Sequence, residues 1–211
     1  MTPLRKIGNV PFDMGVLSSM YPKVRHINEK ARRLEGDKLV IRLKRGLYVA
    51  SPDESGRILE RNLIANHLYG PSYVSFLTAL RDYGLIPERV HLVQSMTTKH
   101  KRCFLTPIYN FRYENCSPEY FPIGVVPHRE DGVTYLIASP EKALCDLINY
   151  TSGLVLRSKK DVECYLDYDM RFDMDALQTF DITILQDCEP FSRKRSSINT
   201  LIKFIEHERL I

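Results

Sequence analysis

Between residues 23 and 50 the apolar period of this chain changes from helical to extended within three residues, and that switch limits the folds open to it. Val24, Ile27, Ala31 and Leu34 are spaced by three, four and three, which places them on one face of a helix. Leu39, Ile41 and Leu43 then alternate with Val40, Arg42 and Lys44, the period of a strand. Gly36 falls between the two patterns, where a helix commonly ends on a left-handed residue. Lys44-Arg45-Gly46 reads as a tight turn and residues 47–50 as the return strand. Upstream, Thr2 and Pro3 predict a capped first helix that ends at Gly8-Asn9. Apolar residues at 12, 16, 17 and 20 predict a second short helix over 12–21, stopped at Tyr21-Pro22 because a residue before proline avoids the helical region. Two helices, a basic helix and a hairpin, in that order, describe a winged helix-turn-helix.

Charge separates this head from the rest. Residues 1–50 hold 11 Lys/Arg against 4 Asp/Glu, a net +7; residues 51–190 hold 14 against 20, a net −6; residues 191–211 hold 5 against 2, a net +3. A basic head on an acidic body implies two surfaces with different partners. The expected partner of the head is double-stranded DNA, with the helix over 23–34 in the major groove and the hairpin tip against a neighbouring groove or phosphate. Lys23, Arg25, Lys30, Arg32, Arg33, Arg42, Lys44 and Arg45 are the candidate phosphate contacts, and Arg25, His26 and Asn28 the candidate base readers. Gly46 lets the turn approach a backbone closely, whereas Tyr48 beside it reads as packing. Glu29 weighs against a simple basic stripe. It stands four residues after Arg25 and three and four before Arg32 and Arg33, and such intrahelical pairs, worth about 0.2–0.5 kcal/mol each, need no ligand.

Residues 51–56, "SPDESG", are polar and read as a linker between the domain 1–50 and a second domain 57–211. The latter predicts helices over 57–70 and 72–84, with a break at Gly70-Pro71. Strands follow in 89–98, 102–113 and 121–129, then a turn at 130–132 and a strand over 133–138. Ser139-Pro140-Glu141 opens a helix with a cap, a proline at its first position and a carboxylate in its first turn. Two or three more helices complete the chain, the last over 197–210. The fold class is α+β. No apolar run approaches the ~18 residues of a membrane span, and residues 1–15 lack the apolar core of a signal peptide. A cytoplasmic protein without a membrane partner is expected. The five cysteines lie 13 or more positions apart, with no CxxC and no zinc spacing, and are expected as free, mostly buried thiols.

Enzyme constellations are weak. Asp167, Asp169, Asp173 and Asp175 form two DxD pairs of the kind that hold metal ions in phosphoryl transfer, yet the Gly-Ser such enzymes place about ten residues upstream is here a reversed Ser152-Gly153. Asp173 is equally a helix cap. Glu141-Lys142 has the wrong spacing for a metal-dependent nuclease, and Ser139 lacks a G-x-S-x-G setting. The basic clusters at 157–161 and 192–197 offer further phosphate contacts, although such runs are more often solvated helix starts. No catalysis, metal or cofactor is expected.

Three segments carry a resemblance: "IRLKRGLYV" (41–49), "GPSYVSFLTALRDYGLIPE" (70–88) and "YLIASPEKALCDL" (135–147). In combination they resemble the AbiEi family of antitoxins over most of residues 10–150. The resemblance implies one half of a two-gene toxin–antitoxin module linked to phage-abortive infection. It implies an N-terminal winged helix that represses its own promoter and a C-terminal domain that neutralises a nucleotidyltransferase-type toxin. The alternative is a winged-helix regulator whose second domain senses a ligand or another protein and has no toxin partner.

Overall fold

The computed structural model describes residues 2–88 and 91–209. Helix α1 (Pro3–Ile7) is capped by Thr2, whose hydroxyl accepts from the Arg5 amide. The expected second helix begins later than its periodicity implies. Phe12–Asp13 is a short strand, β1, and Asp13 then caps α2 (Met14–Met20) by accepting from the Val16 amide. Helix α3 spans Ile27–Gly36 rather than 23–34. Residues 22–26 form turns ahead of it, so Val24 is not on its face, while Ile27, Ala31 and Leu34 keep the predicted stripe. Gly36 is helical instead of a left-handed cap, and the positive φ of 58° falls on Lys38.

Strands β2 (Val40–Lys44) and β3 (Leu47–Ala50) form the predicted hairpin, and β1 pairs with β3 to make a three-stranded sheet in the order β1-β3-β2. A register shift between Arg42 and Lys44 breaks the alternation, so Val40 and Leu43 are the buried pair of β2. Along β3 the two-residue period separates two cores. Tyr48 and Ala50 join Leu4, Phe12, Leu17, Ala31 and Leu34 in the head, whereas Val49, with Leu43, joins the core of the body. Residues 51–56, expected as a linker, contain α4 (Pro52–Ser55), which is tied to α1 by a Thr2–Glu54 hydrogen bond.

The body begins with α5 (Arg61–Leu68), shorter than the expected 57–70. The helix expected over 72–84 is a strand followed by a helix: β4 (Ser72–Val74) leads into α6 (Phe76–Asp82). The run Ser72-Tyr73-Val74 is buried on both sides, a pattern that local periodicity does not distinguish from a buried helix. Strand β5 (Leu92–Thr97) follows; Arg89 and Val90, which opened the expected strand, lie outside the described residues. The segment 102–113 is two strands of a hairpin, β6 (Arg102–Leu105) and β7 (Asn110–Asn115). Strands β8 (Val125–Glu130) and β9 (Val133–Ala138) complete a mixed six-stranded sheet in the order β6-β7-β5-β4-β9-β8. Helix α7 (Pro140–Tyr150) opens as predicted, with the Ser139 hydroxyl accepting from the Lys142 amide. Helices α8 (Lys159–Glu163), α9 (Ile182–Cys188) and α10 (Arg195–Glu208) follow, with short 3-10 and π turns between them. Leu210, part of the last expected helix, lies outside the described residues. The class is mixed α+β. No helix among the described residues is long and apolar enough to cross a membrane.

Candidate nucleic-acid interface

The later start of α3 divides the candidate residues. Lys23, Arg25 and His26 occupy the turn before the helix, with His26 at the N-cap position; Asn28, Lys30, Arg32 and Arg33 are on the helix itself. All but Lys30 are exposed, and the Lys30 ammonium sits 4.7 Å from the centre of the Tyr21 ring. The expected pairing of Glu29 with Arg25 across one helical turn does not form, because Arg25 is not helical. Arg33 pairs instead with Asp37 at 3.7 Å, with both side chains exposed, and an ion pair of that kind is worth at most about 1 kcal/mol. No ion pair involving Lys23, Arg25, Arg32, Arg42 or Arg45 is present among the described residues. Their charges face solvent uncompensated.

At the hairpin, Arg42 and Arg45 are exposed and Gly46 takes the positive φ of 78° that the turn requires. Tyr48 is buried and stacks on Phe12. Lys44 corrects the expectation of a free cation at the tip. The register shift before it turns the side chain toward the body, where its ammonium donates to the Leu68 carbonyl at 2.5 Å. Burial lowers the pKa of that ammonium, and Arg102 and Lys99 lower it further.

Those two residues belong to a cleft of about 460 Å³ between the hairpin and the body. Lys44, Arg45, His67, Lys99 and Arg102 line it beside Tyr69, Gly70 and Phe104, and no carboxylate is among the lining side chains. Lys99 donates to the Gly70 carbonyl at 2.5 Å and lies 5.4 Å from the Tyr69 ring; Arg102 lies 4.9 Å from the Phe104 ring. Rings under the cations hold them without neutralising them. Lys99 and Arg102 were not among the sequence candidates. Their signal is the run Lys99-His100-Lys101-Arg102, which falls at the start of a strand and is hidden by strand periodicity. Lys101 of the same run pairs with Glu114 at 2.9 Å.

Of the other basic clusters, 192–197 is engaged within the chain through Lys194 and Arg195, whereas Arg157, Lys159 and Lys160 are exposed at the start of α8. Ser158 and Asp161 form a capping box at α8, and the Asp161 carboxylate accepts from the Arg157 and Ser158 amides. Lys194 donates to the Leu154 carbonyl at 2.8 Å, and Arg195 pairs with Glu189 at 3.0 Å. Asp173 caps the 3-10 turn Met174–Thr179 by accepting from the Asp175 amide at 3.2 Å. Among the described residues no group of three or more His, Cys, Asp or Glu side chains is placed to hold a metal ion. Cys116, Cys145 and Cys188 are buried thiols, while Cys103 and Cys164 are exposed.

A buried charge pair joins two of the segments that carry the resemblance. Lys142 and Asp146, one turn apart on α7, have fully buried side chains with Nζ and Oδ1 3.7 Å apart. The Asp146 carboxylate accepts from Ser75 at 2.6 Å, Tyr120 at 2.7 Å and Tyr73 at 3.1 Å. Lys142 donates to the Tyr120 carbonyl at 3.0 Å. Burial raises the Asp146 pKa, against the opposing pull of Lys142 and the three hydroxyls. Glu141 accepts from the Asp181 amide at 2.8 Å, so the Glu141-Lys142 dipeptide serves the packing of the body. No family model and no curated protein matches this chain.

Proposed function

We propose that the chain is a DNA-binding antitoxin that represses its own operon and neutralises a partner nucleotidyltransferase-type toxin. The head is a winged helix in this reading, with α2 and α3 as the helix-turn-helix and β2–β3 as the wing. The observation that carries it is the set of exposed, uncompensated cations Lys23 and Arg25 in the turn between α2 and α3, Arg32 on α3, and Arg42 and Arg45 on the hairpin. Cations of this kind neutralise phosphates and release counterions. In this reading Arg25 and His26, just before α3, and Asn28, in its first turn, are the candidate base readers. Lys44, Lys99 and Arg102 continue the positive surface from the wing onto the body. The role is binding without catalysis. The toxin assignment rests on the resemblance of residues 41–49, 70–88 and 135–147 to AbiEi antitoxins.

A second reading keeps the winged helix and gives the body a ligand or another protein to sense; the body's own cleft beside Glu60 and Glu130 favours it. Co-expression with the neighbouring gene separates the two. Rescue of growth from a toxic nucleotidyltransferase-like product is the result expected of the antitoxin. A neighbouring gene that is harmless alone, or one whose toxicity the chain does not relieve, contradicts it.

A further inference from the structure

A second cleft, of about 390 Å³, is lined entirely by the body, between the start of α5, the end of α6 and the β8–β9 hairpin. Three carboxylates line it, and one is already matched. Asp82 pairs with Arg61 through one oxygen, and its other oxygen accepts from Asn62 Nδ2 at 2.7 Å. Glu60 and Glu130 are less well satisfied. Glu60 accepts the Asn62 backbone N–H at 3.0 Å, and Glu130 accepts the Tyr135 hydroxyl at 3.1 Å with His128 Nε2 at 4.0 Å. Burial raises the Glu60 carboxyl above its usual range, and the nearby Glu130 and Asp82 add to the shift while the Asn62 amide and Arg61 oppose it.

An independent observation concerns Asn62. It is only 2% exposed, it belongs to the lining, and its side-chain Oδ1 has no hydrogen-bond partner among the described residues. A buried acceptor left unmatched costs about 1–3 kcal/mol, which a donor from a ligand would recover. The cleft therefore offers acceptors with too few donors, beside the rings of Tyr109 and Tyr135. A planar or multi-donor organic cation matches both features, through charge-assisted hydrogen bonds and contact with aromatic faces.

We propose that this cleft binds a guanidinium or alkylammonium group, with Glu60 and Glu130 supplying the charge and Asn62 Oδ1 a further acceptor. The site stands whether or not the head binds DNA. Two sources carry this chemistry: a free polyamine, or an arginine side chain of a partner protein.

The test titrates the full chain, by calorimetry, with spermidine and separately with N-acetyl-arginine amide, and repeats both with Glu60→Gln, Glu130→Gln and the double variant. Glutamine keeps the oxygen that accepts from the Asn62 amide and from Tyr135 while removing the charge. Saturable binding of at least one probe, weakened about 10- to 100-fold in the double variant, is the expected result. Saturation by spermidine alone assigns a free polyamine, and saturation by the arginine amide assigns a side chain. Glu130→Gln alone, on an exposed strand position, reads the same effect if the double variant does not fold. Absence of saturable binding by both probes, or equal binding by wild type and the charge-neutral variants, overturns the proposal.

Discussion

Replacing Asp146 with Asn removes one charge from a pair that is fully buried on both sides. The side chain keeps its size, so the effect is electrostatic rather than a cavity. Lys142 would be left with the Tyr120 carbonyl as its remaining oxygen partner at hydrogen-bond distance, and the new amide would point a donor at one of three hydroxyls that now donate to the carboxylate. Breaking a buried ion pair from one side costs about 3–5 kcal/mol. At roughly 2–4 °C per kcal/mol for a chain of this size, the melting temperature should fall by about 6–20 °C. Lys142→Met should also destabilise, but the double variant removes both charges together. It should be less destabilised than the two single effects added, by about 1–3 kcal/mol. Urea denaturation followed by far-UV circular dichroism measures all four proteins; the chain has no Trp. A cost below about 1 kcal/mol for Asp146→Asn, or strict additivity in the cycle, would refute the pair as a coupled element of the core.

Glycine substitutions should sort by their surroundings. At Gly124, with φ 60°, a Cβ would meet Ile184 at 2.8 Å and Lys142 at 2.9 Å, whereas at Gly84, with φ 76°, it meets nothing within 4 Å. Gly84→Ala should cost about 1–2 kcal/mol of backbone strain, and Gly124→Ala should cost about 1–3 kcal/mol more from overpacking; equal denaturation midpoints would contradict the close approach. The protein should also lose stability as pH rises from about 9 to 12. Burial pushes Cys116, Tyr83 and Tyr150 each up to about 12 in the folded chain, while the unfolded groups lose their protons near 8.5 and 10. The folded state then binds more protons than the unfolded one, so stability falls with pH across that window. Urea midpoints that stay flat from pH 8 to 11 would contradict it.

The hairpin and α7 were legible because short-range signals fix them: Gly46 at the turn, and Ser139-Pro140 at the helix start. Strand β4 was not, since residues 72–74 are buried on both faces and lose the alternation that marks a half-buried strand. Strand β1 is two residues long and exists because Phe12 and Asp13 pair with Tyr48 and Leu47, contacts far away in sequence. The cations of α3 were readable as residues, but not their division between the helix and the turn before it. Lys44 faces the body because of a register shift that its neighbours do not announce. The partners of the Lys142–Asp146 pair come from β4, the residue that follows it and the segment before β8, so only the fold brings them together.

The central claim concerns the basic head, and salt-dependent binding to the duplex upstream of the gene tests it most directly. Wild-type affinity should fall steeply, by about 10³–10⁵ between 50 and 200 mM salt if six to ten phosphates are neutralised. Arg32→Glu with Arg45→Glu should weaken binding and flatten the log–log salt slope by about one per cation removed. Binding and salt slope unchanged in that double variant would contradict the account.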